Sequence, residues 1–305
     1  MFKNFLLISV VFSLMLNMAY SKDLQGRSTH QIHYVEMDDK INLEVIDWGG
    51  ENKALVFLAG LSLNAHTFEH IAHEFTDSYR VLGITRAGHG NSDTREKNFS
   101  FQRLSKDIIN VLDSMNINSA IFVGHSVAGG ELTYLGKHFP ERVKGLIYID
   151  ALQALKYMDS HLAVCPDIAS ASIEMFEHSE HFYRTQRIKN ADGSFMPFAD
   201  LNALGQIAVE EQKEGRNYSG ILAPALAINH IPEQTDNFFL GVQTPNQQCR
   251  EEVNKLTYLG IADFIKNKPN ADVAAIQGSQ HMIHKVTPEK LVVIMKSWLS
   301  RVFGN

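Results

Sequence analysis

The run Ala120-Ile121-Phe122-Val123-Gly124-His125-Ser126-Val127-Ala128-Gly129-Gly130 confines this chain to few folds. Four apolar residues read as a buried strand, Gly124 to Ser126 as a tight turn, and the residues from Val127 as a helix start. A strand that turns so sharply into a helix puts one side chain at its apex, here Ser126. The turn is cramped, and Gly124, Ala128 and Gly129 supply the small neighbours it needs. The strict G-x-S-x-G pattern wants glycine where Ala128 stands, and alanine is the next smallest residue.

Strands and helices alternate around this run. Gln31–Glu36 and Ile41–Trp48 read as a hairpin about Asp38-Asp39-Lys40, and 54–58 as a continuous apolar strand ending in Ala59-Gly60. Thr67–Phe75 suits a short helix, and Arg80–Thr85 a strand ending at Arg86-Ala87-Gly88-His89-Gly90-Asn91-Ser92. Phe101, Leu104, Ile108, Val111, Leu112 and Met115 recur at helical spacing. A helix after Ser126 runs to His138 and stops at Pro140, and Val143–Asp150 is the next strand. From Ala151 to about Gly220 the rhythm breaks, with helix-like stretches and no buried strand. Ile221–Asn229 and Asp272–Gln277 restore strands, and Pro288–Phe303 closes as a helix, with Thr287 as its cap and Leu291, Ile294, Met295, Trp298 and Leu299 facing the core. The pattern predicts an α/β fold with a mostly parallel twisted sheet, helices on both faces and functional groups at the carboxyl ends of strands. Residues 22–150 and 221–305 form the core, and 151–220 a helical lid above that edge.

Residues 1–21 read as a signal peptide: Lys3 gives a positive start, Phe5 to Ala19 is largely apolar, and Ala19-Tyr20-Ser21 precedes the cut. The apolar stretch is shorter than the roughly 20 residues a bilayer span needs, so no stable membrane anchor is expected after processing. The mature chain of 284 residues (305 − 21) is then exported, to a periplasm or the outside. The 28 basic and 34 acidic residues of the full 305-residue sequence are dispersed, which makes nucleic acid a poor candidate partner. Two cysteines, Cys165 and Cys249, suit one disulfide in an oxidising compartment.

Four stretches in order resemble the α/β-hydrolase family over nearly all of the mature chain. Phe57-Leu58-Ala59-Gly60-Leu61 stands where that family usually has His-Gly-X. Arg86-Ala87-Gly88-His89-Gly90-Asn91-Ser92 resembles its R-x-x-G-x-G-x-S turn, one residue short. Gly124-His125-Ser126-Val127-Ala128-Gly129 resembles the nucleophile elbow, and Gly278-Ser279-Gln280-His281 the histidine loop. The resemblance implies a serine hydrolase, esterase-like, with no cofactor and a small-molecule acyl substrate.

A serine hydroxyl becomes a nucleophile only when a base takes its proton. His281 is the leading base, since it follows the last strand and the order Ser then His suits this fold; His284 is the fallback. His125 is expected to pack beneath the turn. Three carboxylates could orient the base. Asp150 ends the strand after the turn, 24 residues past Ser126 (150 − 126), and is preferred. Glu233 falls nearest the family's more usual position, and Asp236 follows it. The main-chain N–H groups of Leu61 and Val127 are the oxyanion-hole candidates. His66, His70 and His73 share one face of the predicted helix, and His66-Thr67-Phe68-Glu69-His70 matches the short H-x-x-E-H metal pattern. A polar outer face is the preferred reading, and no metal is expected. A carboxylic ester is the leading substrate class, with amide, lactone or carbon–carbon bonds as alternatives. A non-catalytic binding protein on the same scaffold is the competing class.

Overall fold

The computed structural model describes residues 30–152, 194, 196–197, 199–214, 216–231, 238–239, 242–243, 247–277, 279 and 281–304. Ten strands are present among them. β1 (Gln31–Glu36), β2 (Asn42–Gly49), β3 (Ala54–Leu58), β4 (Arg80–Ile84), β5 (Ala120–His125), β6 (Val143–Ile149), β7 (Ala225–Ile231) and β10 (Asp272–Gln277) form one sheet in the order β1-β2-β4-β3-β5-β6-β7-β10. β8 (Phe238–Phe239) and β9 (Val242–Gln243) pair separately. β1 and β2 join antiparallel, and every pairing from β4 to β10 is parallel.

The central strands are apolar on both faces because both are covered. In β3, Leu55 and Phe57 join the layer containing Phe68, Phe75, Met295 and Trp298. Ala54, Val56 and Leu58 join the opposite layer, with Leu104, Ile108, Leu132 and Phe264. β5 splits the same way, Ile121 and Val123 against Ala120 and Phe122.

Several boundaries differ from the sequence reading. Residues 65–75 are not one helix: 3-10 turns over Ala65–Phe68 and His73–Phe75 flank the α-turn Glu69–Ala72. The tighter turns bring Phe68 and Phe75 onto Phe57, with ring centroids 5.0 and 6.1 Å away. β7 starts at Ala225 rather than Ile221, because Pro224 offers no N–H and only its carbonyl is used, by Leu146 N–H at 3.0 Å. The helix Phe101–Ser114 is capped by Ser100, whose Oγ accepts from Arg103 N–H at 3.2 Å. The helix Pro288–Phe303 is as expected, but Thr287 makes no side-chain cap. Its hydroxyl sits 3.0 Å from Ser279 Oγ instead, tying the loop after β10 to the last helix.

Within 151–220, the described residues hold the helix Leu201–Glu214; residues 153–193, 195, 198 and 215 of the expected lid, and with them Cys165 of the expected disulfide, lie outside the described residues. A long helix, Gln247–Asn267, follows β9 and was not expected. Among the described residues no helix is long and apolar enough to cross a membrane. The expected signal segment, 1–21, lies outside them.

Candidate active site

β5 ends at His125 and the chain turns through Ser126, with φ of 56°, into the helix Ala128–His138. A left-handed serine costs on the order of 1–3 kcal/mol and persists only where its surroundings enforce it. Here Ser126 N–H donates to Ile149 O at 3.1 Å, and Ser126 O accepts from Gly129 N–H at 3.0 Å. A Cβ on Gly124 would meet the Leu132 side chain at 2.9 Å and Ala128 Cβ at 3.1 Å. The missing methyl at 124 is therefore what leaves room for the methyl of Ala128.

Ser126 Oγ lies 2.9 Å from His281 Nε2, and His281 Nδ1 lies 2.5 Å from Asp150 Oδ2. A carboxylate only accepts, so Nδ1–H is the donor and Nε2 presents its lone pair to the serine hydroxyl. Asp150 follows β6 directly, is buried, and is left-handed with φ of 45°. Asp tolerates that conformation better than most residues. Burial pushes its carboxyl up, but the hydrogen bonds and electrostatic attraction of His230 and His281 outweigh it, holding Asp150 well below the usual carboxylate range. His230 was not singled out in the sequence. It binds the same oxygen through Nδ1 at 2.7 Å, and its N–H reaches Oδ1 at 3.3 Å. It occupies the end of β7, where the sequence drew attention to Glu233 and Asp236; both of these lie outside the described residues.

Beneath the turn, His125 is fully buried, and burial first and then His281 hold its imidazole down to about 3. It is neutral, and its Nε2–H donates to the main-chain carbonyl of His281 at 3.0 Å. His284, the fallback base, is buried away from Ser126 with Nε2 3.1 Å from Thr67 Oγ1.

The loop carrying Ala59 and Gly60 lies against the serine turn. A Cβ on Gly60 would come within 2.7 Å of His125 Nδ1 and 3.2 Å of Ser126 Cβ. Lacking the family's histidine, this loop is gripped from behind by Arg86. That guanidinium donates to Gly60 O at 2.9 Å, Ala59 O at 2.7 Å and, through Nε and Nη2, to Glu131 at 3.2 and 2.5 Å. Arg86 and Glu131 are both buried, a bidentate pair, and two further Arg86 donors hold the loop's two carbonyls. The sequence reading gave Arg86 only a turn-shaping role; the turn itself is held by Ser92, whose hydroxyl donates to Thr85 O at 2.6 Å. Neither Leu61 N–H nor Val127 N–H donates to a main-chain carbonyl among the described residues. Val127 is the N-cap of the helix Ala128–His138, so its N–H lies ahead of the intrahelical bonding and has no partner within the helix.

A second buried pair underlies the turn. Arg216 Nη2 donates to Ser126 O at 3.1 Å and is ion-paired with Glu211, whose carboxyl burial pushes up to about 7. Nothing in the local pattern around Arg216 marks that contact in advance.

Comparison with known proteins agrees with this fold. The family model of the alpha/beta hydrolase fold matches residues 53–200. A Haemophilus influenzae protein named "Putative esterase/lipase" is 33% identical over 258 residues, covering 81% of this chain and 83% of that one. The 2-(acetamidomethylene)succinate hydrolase of Mesorhizobium japonicum is 23% identical over 79% of this chain and 85% of its own. A crystal structure of E-2-(acetamidomethylene)succinate hydrolase superposes with a TM-score of 0.66 at 18% identity, over 89% of this chain and 99% of that one. A haloperoxidase-named protein of Mycobacterium phage D29 is 30% identical over 112 residues, and the chain spans only 40% of its length there.

Proposed function

Since the chain belongs to the α/β-hydrolase family, we propose that it is a serine hydrolase that cleaves a carboxylic ester of a small molecule through an acyl-enzyme. The observation that carries this reading is the line from Ser126 Oγ through the His281 ring to the Asp150 carboxylate, at 2.9 and 2.5 Å. Serine at the apex argues against the carboxylate-nucleophile chemistries of the same scaffold.

In this mechanism His281 Nε2 takes the proton of Ser126 as Oγ attacks the substrate carbonyl carbon. The carbonyl oxygen gains the negative charge, and the N–H groups of Leu61 and Val127 receive it. Asp150, ionised, stabilises the imidazolium by charge and hydrogen bond. As the tetrahedral centre collapses, the imidazolium gives its proton to the leaving alcohol. Water then attacks the acyl-enzyme, with His281 again the base, releasing the acid and restoring Ser126. The Haemophilus relative's name favours ester and lipid-like substrates, while the Mesorhizobium relative's name places an amide-containing succinate within the family's reach. Residues 151–220 are proposed to form the lid that selects among them, and residues 1–21 to direct export.

The test is a series of p-nitrophenyl esters of rising acyl length, run beside fluorophosphonate labelling. Turnover with label on Ser126 is expected. Unlabelled protein without turnover leaves the non-catalytic binding protein as the reading.

A further inference from the structure

The structure brings His30, His66 and Glu69 together, with His73 beside Glu69, where the start of β1 meets the turns after β3, in a role separate from Ser126. His30 Nδ1 lies 3.0 Å from Glu69 Oε1, His66 Nδ1 4.0 Å from Glu69 Oε2, and His73 Nε2 3.8 Å from Glu69 Oε1. The facing ligand atoms of His30, His66 and Glu69 all lie within 4.8 Å of one another. Four ligands around a tetrahedral zinc ion stand about 3.3 Å apart, given metal–ligand distances of about 2.0–2.1 Å. A contraction of up to about 1.5 Å would bring His30, His66 and Glu69 to that spacing, with His73 reaching in from beside Glu69.

Three further contacts orient these ligands. Glu44, fully buried, accepts from His66 Nε2 at 3.3 Å, which makes Nε2 the protonated nitrogen and turns the lone pair of Nδ1 toward Glu69. Glu44 is itself fixed by Thr85 Oγ1 at 2.9 Å and Asn91 Nδ2 at 2.7 Å. Carboxylate behind histidine is the arrangement that sets tautomer and ring orientation at metal sites. Trp48 Nε1 donates to Glu69 Oε2 at 3.0 Å and fixes the plane of that carboxylate. His73 Nε2 is buried without a hydrogen-bond partner, a cost that an ion at this point would remove.

We propose that His30, His66, Glu69 and His73 form a binding site for one divalent transition-metal ion, zinc first. Imidazole and carboxylate ligands suit zinc and its neighbours rather than calcium or magnesium. The charge balances, since Glu69 in the ligand set and Glu44 behind it offset two positive charges. The ligand set also differs from the H-x-x-E-H reading: His70 turns away, its Nε2 bonded to the main-chain carbonyl of His284. His30 immediately precedes β1, an edge strand, whereas the other ligands belong to the turns after β3. The ion thus pins the start of β1 to the core and plays a structural part. The inference is independent of the proposed hydrolysis.

The test uses the full chain without a polyhistidine tag, stripped by chelator and titrated with zinc against a chromophoric competitor. One zinc ion per chain is expected, with a thermal midpoint that rises on zinc addition. Cobalt(II) in its place should give the visible absorption of a four-coordinate site. Glu69→Gln keeps an acceptor for Trp48, and His30→Ala changes a residue ahead of the first strand; each should weaken zinc at least tenfold. Glu44→Gln, which touches no ion, should weaken it by about tenfold through His66. Substoichiometric binding, or equal binding by wild type and by a His30→Ala/His73→Asn variant with unchanged circular dichroism, would overturn the proposal.

Discussion

His125 donates its Nε2–H to the main-chain carbonyl of His281, at 3.0 Å. The residue just before Ser126 therefore holds the loop that carries His281. The distance from Ser126 Oγ to His281 Nε2 is set from beneath as well as by Asp150 from the side. Because burial keeps His125 uncharged, that support adds no positive charge beside the imidazolium that forms on His281.

Removing the nucleophile separates chemistry from strain. Ser126→Ala should lower turnover by on the order of 10⁶-fold while leaving the fold intact. Ser126→Gly should lower it equally but raise the thermal midpoint, because glycine accepts the 56° φ without penalty. Equal stability of the two variants would show that the turn is not strained.

Asp150→Asn keeps the shape and removes the charge. Turnover should fall by about 10⁴-fold, with substrate binding little changed, since the amide favours the wrong tautomer of His281. Steady-state kinetics check this. Full activity in the variant would point to a carboxylate after β7 as the acid.

Arg86 and Glu131 should behave as a unit. Arg86→Met strands a buried carboxylate and should cost about 3–5 kcal/mol by denaturant unfolding. Glu131→Leu in the same chain should recover part of that. Neither change restores the grip on Ala59 and Gly60, so turnover should stay depressed in the stable double variant. Recovery of both stability and turnover would remove Arg86 from the support of the oxyanion loop.

Acid should destabilise the chain in two stages. Burial foremost holds His89 and His125 down to about 3, and His284 well below its ordinary value. Unfolded histidines protonate near pH 6.5, so between about 6.5 and 3 the unfolded state binds more protons and stability falls with pH, by up to about 1.4 kcal/mol per unit for each group. Asp150 has its folded value lowered, so its contribution is complete above about pH 4 and is lost below that as the pH falls towards the folded value. Denaturant unfolding at pH 7, 6, 5 and 4 measures the slope, and His89→Asn should flatten it.

The elements legible in the sequence were those whose environment is uniform. β3 and β5 lie between two apolar layers, so their runs carry no polar interruption. The helix Gln247–Asn267 was missed because Tyr258, Leu259 and Ile265 are exposed while Phe264 is buried, which blurs any single apolar stripe. Ser126 and His281 could be found because turn chemistry and order mark them locally. The carboxylate was ambiguous because the sequence offers one after each of two strands, and spacing alone does not rank them. His230, Arg86 and Arg216 act across the sheet, through partners 80, 26 to 45, and 90 residues away, so no local pattern announces them.

The parallel ladder of β5 and β6 pairs His125 with Ile149, so Ser126 and Asp150 emerge side by side from adjacent strands only 24 residues apart (150 − 126). His281 comes 155 residues after Ser126 in the chain. On a polypeptide elongating from its N-terminus, the nucleophile and the acid can be in register long before the base exists. The half-made protein carries Ser126 without His281, and the proposed site is complete only when β10 docks beside β7. Under the proposed reading, a chain that folds slowly is thereby kept from acting on substrate until nearly the whole sheet has closed.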